Sequence, residues 1–234
     1  MVKNFSKKVK NMNSPALIVM LTHNDCTVEN AAAVFEACKA SKAAYWGFKE
    51  KPLPPAQMKA LFSRMKQCGK TTVLEVVEYT EKEGLEGAKI AVDCQVDILM
   101  GTVYSEKIHR LCKENDIRYM PFVGKIKERP SILEGSLASM VEEAERCLEK
   151  GVDGFDLLAY RYTGNATQLI EYFVDKVPAP VCIAGSVDSF EKLDDLKRIH
   201  PWSFTIGGAF FENKFGAQMP AQIDAVCDYM QDNV

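Results

Sequence analysis

The sequence contains no apolar run long enough to cross a membrane. The longest uncharged apolar run near the start, Pro15 to Thr22, is far shorter than the roughly 20 residues that a spanning helix needs. No signal-peptide cleavage site follows this run. We therefore expect no membrane partner and a cytoplasmic location.

The sequence also has no cysteine spacing typical of a metal site. Its eight cysteines contain no C-x-x-C pair and no histidine at metal-ligand spacing. This pattern predicts reduced, mostly buried thiols, no metal ion and no cofactor. Six of the cysteines fall one to a predicted helix: Cys38, Cys68, Cys94, Cys112, Cys147 and Cys227.

Long blocks of one charge are absent as well. The chain has 29 basic and 32 acidic residues, a formal charge of −3 and a pI near 5.7. The one basic cluster, Lys3, Lys7, Lys8 and Lys10, fits a solvated helix face better than a nucleic-acid arm. We expect no nucleic-acid partner.

The sequence does contain eight short apolar segments that alternate with longer amphipathic ones. The short segments predict strands and the longer ones predict helices, among them 27–41, 55–69 and 136–151. Thr27 and Ser189 are predicted to cap helices, while Gly69 and Gly151 are predicted to end them. Strands that alternate with helices and leave no room for hairpins must be parallel. The predicted strands are 16–22, 43–49, 72–79, 97–103, 118–124, 154–160, 180–185 and 203–208.

Eight strand–helix units in 234 residues predict an α/β fold of the TIM, or (β/α)8, barrel type, for which ~250 residues is typical. An open doubly wound sheet is the alternative, but no G-x-G-x-x-G follows the first strand. We expect one domain over residues 1–234. The first fifteen residues are expected to form a short helix across the bottom of the barrel.

Two consecutive strands, in the segments 180–190 and 202–211, end at small residues and then continue into helical composition. A glycine at such a turn lets backbone N–H groups approach a ligand closely, and the following helix adds partial positive charge. The sequence therefore predicts an anion site, most simply for phosphate. Its residues would be Gly185, Ser186, Gly207 and Gly208.

Polar residues also follow the first strand, in the segment Thr22 to Asp25. His23 is the only one of three histidines that the predicted topology places at the ligand-binding end of the barrel. We predict that it contacts ligand or moves protons, with Asp25 as its partner or as a substrate-binding group. The alternative for Asp25 is capping of the next helix.

Lys49 and Glu75 lie on adjacent predicted strands. If their alternating faces point inward, the two side chains are buried neighbours, and buried charges must be paired. Lys49 would then stabilise an enolate or form an imine, and Glu75 would transfer a proton. A structural ion pair between them is the alternative.

Three further residues complete the candidate site. Asp156, an unexpected acidic residue in the sixth strand, is a second candidate for proton transfer, or else a partner of Lys49 or Lys125. Lys125, after the fifth strand, and Arg161, after the sixth, are candidate substrate-binding cations. An exposed arginine without a role is the alternative for Arg161.

The pairing of IAGSVDS after strand seven with IGGAFF after strand eight resembles the phosphate-binding turns of the ribulose-phosphate-binding barrel superfamily. This superfamily includes phosphosugar epimerases, isomerases, decarboxylases and aldolase-like lyases. The resemblance implies a phosphorylated ligand held by backbone amides of Gly185, Ser186, Gly207 and Gly208.

Several motifs of individual branches of that superfamily are missing. The third strand reads LEVVEY and lacks the D-x-K-x-x-D of the decarboxylase branch, and the sixth strand has Asp156 where Schiff-base aldolases have lysine. The metal-type His and Asp pairs of the pentulose-phosphate epimerases are absent too. The chain is therefore expected to be a divergent member of the superfamily.

The expected function is that of a metal-independent enzyme for a small phosphorylated sugar or sugar acid, an isomerase or epimerase. A Schiff-base aldolase or lyase is the first alternative. A phosphometabolite-binding regulator without turnover is the second, and a purely structural barrel is the third. Barrels of this kind often form homodimers, so a second copy of the chain is a candidate partner.

Overall fold

The structure, a computed structural model, describes residues 14–231. Eight parallel strands form one sheet in the spatial order β6-β7-β8-β1-β2-β3-β4-β5. Each neighbouring pair within this order is parallel, as the alternation with helices predicts. The strands are β1 (Ala16–Met20), β2 (Tyr45–Lys49), β3 (Thr71–Val76), β4 (Ile98–Gly101), β5 (Arg118–Met120), β6 (Phe155–Leu157), β7 (Val181–Ile183) and β8 (Ser203–Ile206).

The two ends of this sheet meet and close it into a barrel. The N–H group of Asp156 in β6 donates to the carbonyl oxygen of Pro121 at 3.1 Å, and Phe122 forms a parallel bridge with Asp156. Asp153 N–H also donates to Tyr119 in β5 at 3.0 Å. These contacts confirm the predicted TIM barrel and exclude the open sheet.

The helices surround the barrel, one after each strand. Two shorter helical segments lie in loops after the sixth and eighth strands, Ala159–Arg161 and Gly208–Phe211. The main helices are α1 (Ala31–Cys38), α2 (Pro55–Gln67), α3 (Glu81–Asp93), α4 (Glu106–Glu114), α5 (Leu137–Lys150), α6 (Ala166–Lys176), α7 (Phe190–Ile199) and α8 (Met219–Gln231). None of the helices within residues 14–231 combines the length and the apolar character that crossing a bilayer requires.

Alternation along each strand produces two apolar clusters. In β1, Ile18 and Met20 belong to the cluster inside the barrel, whereas Leu17 and Val19 pack outward against the helices. The inner cluster fills the barrel as a core. Its buried members are Ile18, Met20, Val73, Ile98, Met100, Met120, Cys182 and Trp202.

Helix ends follow the predicted signals with one exception. The Ser189 hydroxyl caps α7 by accepting from Lys192 N–H at 3.3 Å, and Gly151 ends α5 in the left-handed conformation. The prediction of a helix from residue 27 is wrong. Thr27 pairs in a small hairpin, and α1 begins only at Ala31.

The absence of hairpins was also predicted wrongly, because two short ones lie in the loops. Thr22–His23 pairs with Cys26–Thr27 after β1. Lys125–Lys127 pairs with Ile132–Glu134 after β5, and we call residues 125–134 the strap. These short strands carry polar residues such as Thr22, His23, Lys125 and Lys127, so they lack the apolar run from which the barrel strands are recognised.

All eight cysteines are free, six of them are buried, and only Cys26 is exposed, as reduced thiols require. The predicted helix in the first fifteen residues and the basic cluster within it lie outside the described residues, apart from positions 14 and 15.

Candidate active site

A cavity of about 670 Å³ opens at the carboxyl ends of the barrel strands. This is the end at which TIM-barrel enzymes carry their active sites. Most of the predicted site residues line it, and the two exceptions are Asp156 and Lys125. The predicted residues in its wall are His23, Asp25, Lys49, Glu75, Arg161, Gly185, Ser186, Gly207 and Gly208.

The hairpin after β1 brings Asp25 against Lys49. Asn24 and Asp25 form its turn with φ values of 50° and 63°, a left-handed conformation that Asn and Asp tolerate better than most residues. Thr27 fixes the hairpin to β2, because its hydroxyl donates to the Lys49 carbonyl at 2.8 Å and accepts from the Lys49 N–H at 2.9 Å. The Lys49 ammonium donates to Asp25 Oδ1. Asp25 therefore pairs with Lys49 and does not cap α1.

Lys49 and Glu75 are direct register partners on β2 and β3, as expected from the alternation. The ion pair predicted between them is replaced by the pair between Lys49 and Asp25. Burial alone would lower the pKa of Lys49, but the negative charges of Glu75 and Asp25 outweigh burial and raise it. Lys49 is thus an ammonium cation in the resting site.

Glu75 is the carboxyl group best placed to exchange protons with a ligand. It lines the cavity although its residue is only 7% exposed, and its carboxyl group has no hydrogen bond to any residue in the described range. Burial raises the pKa of Glu75, while the charge of Lys49 opposes this shift. A carboxyl group with a raised pKa is suited to both removing and returning a proton.

Asp156 lies beneath the cavity, inside the barrel. It is fully buried in register with Cys182, and neither carboxyl oxygen has a hydrogen-bond partner within residues 14–231. Burial raises its pKa well above the ordinary value, and the nearby negative charge of Glu75 raises it further. Asp156 is therefore a neutral acid below Glu75, and it does not touch the cavity.

His23 lies at the cavity wall near the eighth strand. Its Nε2 is 3.5 Å from Glu212 Oε1, and its ring stacks on Phe211 with centroids 5.6 Å apart. The side chain is one-third exposed. His23 is thus oriented by two neighbours while one face remains open to a ligand, and its proposed role stays a prediction.

The two glycine turns lie side by side in the wall. Gly185 and Ser186 have φ values of 98° and 88°, and no described residue accepts a hydrogen bond from the N–H groups of Ser186, Gly207 or Gly208. A Cβ atom on Gly207 would lie 2.7 Å from the Thr22 carbonyl oxygen, so only glycine allows this close approach. Exposed N–H groups of this kind suit an anion.

Arg161 ends the helical segment Ala159–Arg161 and packs against the first glycine turn. A Cβ atom on Gly185 would lie 2.7 Å from Arg161 Cγ. The guanidinium has no ion pair with any carboxylate in the described part of the chain. Arg161 is therefore a cation available beside the exposed N–H groups.

Lys125 does not reach the cavity. It begins the first strand of the strap, is exposed, and pairs in register with Glu134. Lys125 is not among the residues of the cavity wall, and its role in substrate binding stays a prediction without support from the cavity.

The tip of the strap instead brings Arg129 and Ser131 to the cavity, which the sequence analysis did not anticipate. The Tyr79 hydroxyl is 2.7 Å from Ser131 Oγ and donates to the Glu128 carbonyl at 3.0 Å. The Arg129 guanidinium lies 5.9 Å from the centre of the Tyr79 ring. The sequence Glu-Arg-Pro-Ser, residues 128–131, indicates a turn. Only the fold shows that this turn reaches the residues after β3.

Glu50 is a second wall residue that sequence analysis missed. Its Oε2 accepts from Val77 N–H at 3.2 Å, while its Oε1 is buried without a hydrogen-bond partner in the described range. Burial raises the pKa of Glu50, opposed by hydrogen bonds from backbone N–H groups, including that of Val77. Within residues 14–231, no group of three or more His, Cys, Asp or Glu side chains is arranged to hold a metal ion.

No protein-family model matches this chain, and no curated protein matches it. Solved structures do match its fold. Tryptophan synthase from M. tuberculosis aligns with a TM-score of 0.68 and 12% identity over 98% of both chains. A 4-hydroxy-2-oxoglutarate/2-dehydro-3-deoxyphosphogluconate aldolase from TTHB1 aligns with a TM-score of 0.67 and 11% identity, over 95% of this chain and 98% of the aldolase.

A third structure, from Aquifex aeolicus VF5, aligns with a TM-score of 0.67 and 10% identity over 99% of both chains. Identities this low establish the fold alone. They confirm the (β/α)8 barrel fold, and the resemblance to the ribulose-phosphate-binding barrels stays a prediction.

Proposed function

We propose that the protein is an enzyme that isomerises or epimerises a small phosphorylated sugar or sugar acid by proton transfer through an enolate. The observation that carries this proposal is Glu75, a carboxyl group without hydrogen bonds that lines the cavity beside the Lys49 ammonium. An acid–base group next to a fixed cation is the arrangement that this chemistry needs.

In the proposed reaction, Glu75 as carboxylate removes the proton from the carbon next to the substrate carbonyl. The electrons of that C–H bond form the carbon–carbon double bond of the enolate, and the carbonyl oxygen becomes negative. Lys49, held by Asp25, stabilises this oxygen. In an isomerase, the hydroxyl proton on the carbon that Glu75 deprotonated moves to the negative oxygen, the oxygen of that hydroxyl becomes the new carbonyl oxygen, and Glu75 returns its proton to the former carbonyl carbon. In an epimerase, the enolate oxygen forms the carbonyl again, and His23 protonates the original carbon from the opposite face while Glu75 keeps the proton that it removed.

The other end of the substrate would be held as a phosphate. This role is supported by the N–H groups of Ser186, Gly207 and Gly208, from which no residue in the described range accepts a hydrogen bond, and by the Arg161 guanidinium, which has no ion pair there. Arginine binds phosphate with parallel hydrogen bonds, and exposed N–H groups add oriented dipoles. The turns would hold the substrate while Glu75 acts on the carbonyl end.

A carbon–carbon lyase is the second candidate, favoured by the fold likeness to an aldolase. An imine mechanism at Lys49 would require a neutral amine. The pair with Asp25 and the raised pKa of Lys49 oppose this, so the proton-transfer reaction takes precedence.

Proton exchange into solvent deuterium tests the proposal. The protein is incubated in D2O with a panel of aldose and ketose phosphates, and loss of the C–H signal beside the carbonyl is followed by 1H NMR. We expect exchange with at least one compound, and a rate about 10²- to 10⁴-fold lower for Glu75→Gln. Glu191→Gln, an exposed carboxylate in α7, is the control and should exchange like the wild type.

Equal exchange rates for Glu75→Gln and the wild type would remove Glu75 from the mechanism. Binding of a phosphate compound without any exchange would favour the regulator that binds phosphometabolites without turnover. Borohydride trapping of a substrate on Lys49 would favour the lyase.

A further inference from the structure

The cations of the cavity differ in whether a carboxylate already holds them. Four lysine and arginine side chains of the described chain line the cavity: Lys49, Lys51, Arg129 and Arg161. Lys49 is paired with Asp25, whereas Arg161 beside the glycine turns has no ion pair in residues 14–231. Lys51 and Arg129 determine what can bind at the end of the cavity opposite Arg161.

Lys51 and Arg129 share the carboxylate of Glu78. Lys51 Nζ lies 2.5 Å from Glu78 Oε1, and Arg129 Nη2 lies 3.1 Å from Glu78 Oε2. Arg129 Nη1 also lies 4.0 Å from Oε1 of the buried Glu50. The Glu78 side chain is only 12% exposed, which strengthens both interactions relative to surface pairs. Glu78 itself does not line the cavity, although both of the cations that it contacts do.

Of the lysine and arginine side chains that line the cavity within residues 14–231, only Arg161, on the side of β7, lacks an ion pair with a carboxylate. The strap side, at the end of β3, lies across the barrel, because four strand positions separate β3 from β7. A substrate carboxylate on the strap side would meet two cations whose charges are balanced by the carboxylates of Glu78 and Glu50, and these carboxylates would repel it. Hydroxyl groups of a substrate on the strap side could instead donate hydrogen bonds to Glu75.

We propose that Glu78 is a specificity-determining residue that makes the cavity select a phosphate monoester with a neutral, polyhydroxylated body over a phosphorylated sugar acid. This inference rests on the proposed function and narrows its substrate class. Phosphate supplies the one anionic group, which Arg161 and the glycine turns receive. The charge of Glu78 excludes a second anion from the strap side.

A matched pair of ligands tests this selection. D-glucitol 6-phosphate and D-gluconate 6-phosphate differ at the end opposite the phosphate, where one has a hydroxymethyl group and the other a carboxylate. Isothermal titration calorimetry should give about tenfold tighter binding of the glucitol compound to the wild type. Tighter or equal binding of the gluconate compound would overturn the inference.

The variant Glu78→Gln should remove one of the two carboxylates that balance Lys51 and Arg129, which leaves a net positive charge for a substrate carboxylate. We expect the gluconate compound to bind about tenfold tighter than it does to the wild type, while the glucitol compound changes little. Glu86→Gln removes a carboxylate 2.7 Å from Lys89 on the exposed surface of α3 and should keep the wild-type preference. An unchanged preference in Glu78→Gln would refute the role of Glu78.

Two further measurements keep the test decisive. Glu78→Asp retains the negative charge and should retain the preference, which covers the case in which Glu78→Gln fails to fold. Inorganic phosphate serves as the probe of the anion site. Binding of inorganic phosphate without a preference between the two sugar compounds would overturn only the role of Glu78, whereas no binding of any of the three would overturn the proposed function as well.

Discussion

Asp156 combines full burial with two carboxyl oxygens that have no hydrogen-bond partner in the described chain. An ionised carboxylate in such a place would be strongly unfavourable, so the native state holds a proton there. Its pKa is raised by burial and then by Glu75. The protonation state of Asp156 therefore affects the free energy of unfolding.

The pH dependence of unfolding tests the protonation of Asp156. As pH rises above the ordinary value of 3.8, the unfolded chain releases this proton while the native state keeps it, so the free energy of unfolding falls. The fall amounts to about 1.4 kcal/mol for each pH unit between the two pKa values. Asp156→Asn should remove this contribution and give a flatter dependence in urea unfolding between pH 4.5 and 8.

Asp175→Asn is the control, because Asp175 is exposed and pairs only with its neighbour Lys176 at the surface. Its dependence on pH should run parallel to that of the wild type. If Asp156→Asn also runs parallel to the wild type, Asp156 is not the buried acid that we infer.

For single residues, the sequence predicts the residue type and the strand face on which the side chain lies, but not the residue that the side chain contacts. The alternation correctly predicted that Lys49 and Glu75 are neighbours. It could not predict that Asp25 holds Lys49, because this depends on a two-residue turn whose left-handed conformation aims Asp25 back at β2. The position of Lys125 outside the cavity wall could not be predicted either, since it depends on the strap, whose strands have three residues each.

The strap is the element that the sequence predicts least well, and its tip contributes Arg129, Pro130 and Ser131 to the cavity wall. Its two strands have three residues each, and its tip is fixed to the end of β3 mainly through Tyr79. Arg129 at the tip also donates to the Val77 carbonyl. The eight barrel strands, in contrast, were all predicted within a few residues of their ends, because each is a buried apolar run.

Limited trypsin digestion tests how the strap is held. Tyr79→Phe removes the hydroxyl that contacts Ser131 and Glu128 and should cost about 1 kcal/mol of local stability. We therefore expect cleavage after Lys127 to become about fivefold faster, measured by mass spectrometry of early fragments.

Tyr172→Phe is the matched control, since Tyr172 is an exposed tyrosine on α6. It should be cleaved at the wild-type rate. Equal cleavage of all three proteins would mean that the Tyr79 hydroxyl does not secure the strap.

Across the whole molecule, polarity changes along the barrel axis. The inner cluster that includes Ile18, Val73 and Ile98 fills the barrel, while Lys49 and Glu75 lie at the carboxyl ends of their strands. The order of strands and helices predicts this architecture, because parallel strands with covering helices close in few ways. The pairing of β1 with β8 joins residues far apart in sequence, such as Ala16 and Ser203, and no local pattern indicates it.

The reactivity of the eight free cysteines can be used to measure whether the barrel is folded and closed. Cys26 is exposed and lines the cavity, whereas six others are buried. Burial raises the pKa of Cys38, Cys94 and Cys147 to about 11, so these thiols are protonated at neutral pH and protected from reagents.

Reaction with a thiol reagent such as DTNB should therefore show one fast group in the native protein and eight groups after denaturation. Cys26→Ser should abolish the fast phase, and Cys68→Ser, at a half-buried position, should retain it. The buried thiols should react only as fast as the barrel opens, so their rate should increase with urea as global unfolding does. Several fast thiols in the native protein, or a fast phase that survives Cys26→Ser, would contradict a closed barrel whose only exposed cysteine lies at the mouth of the cavity.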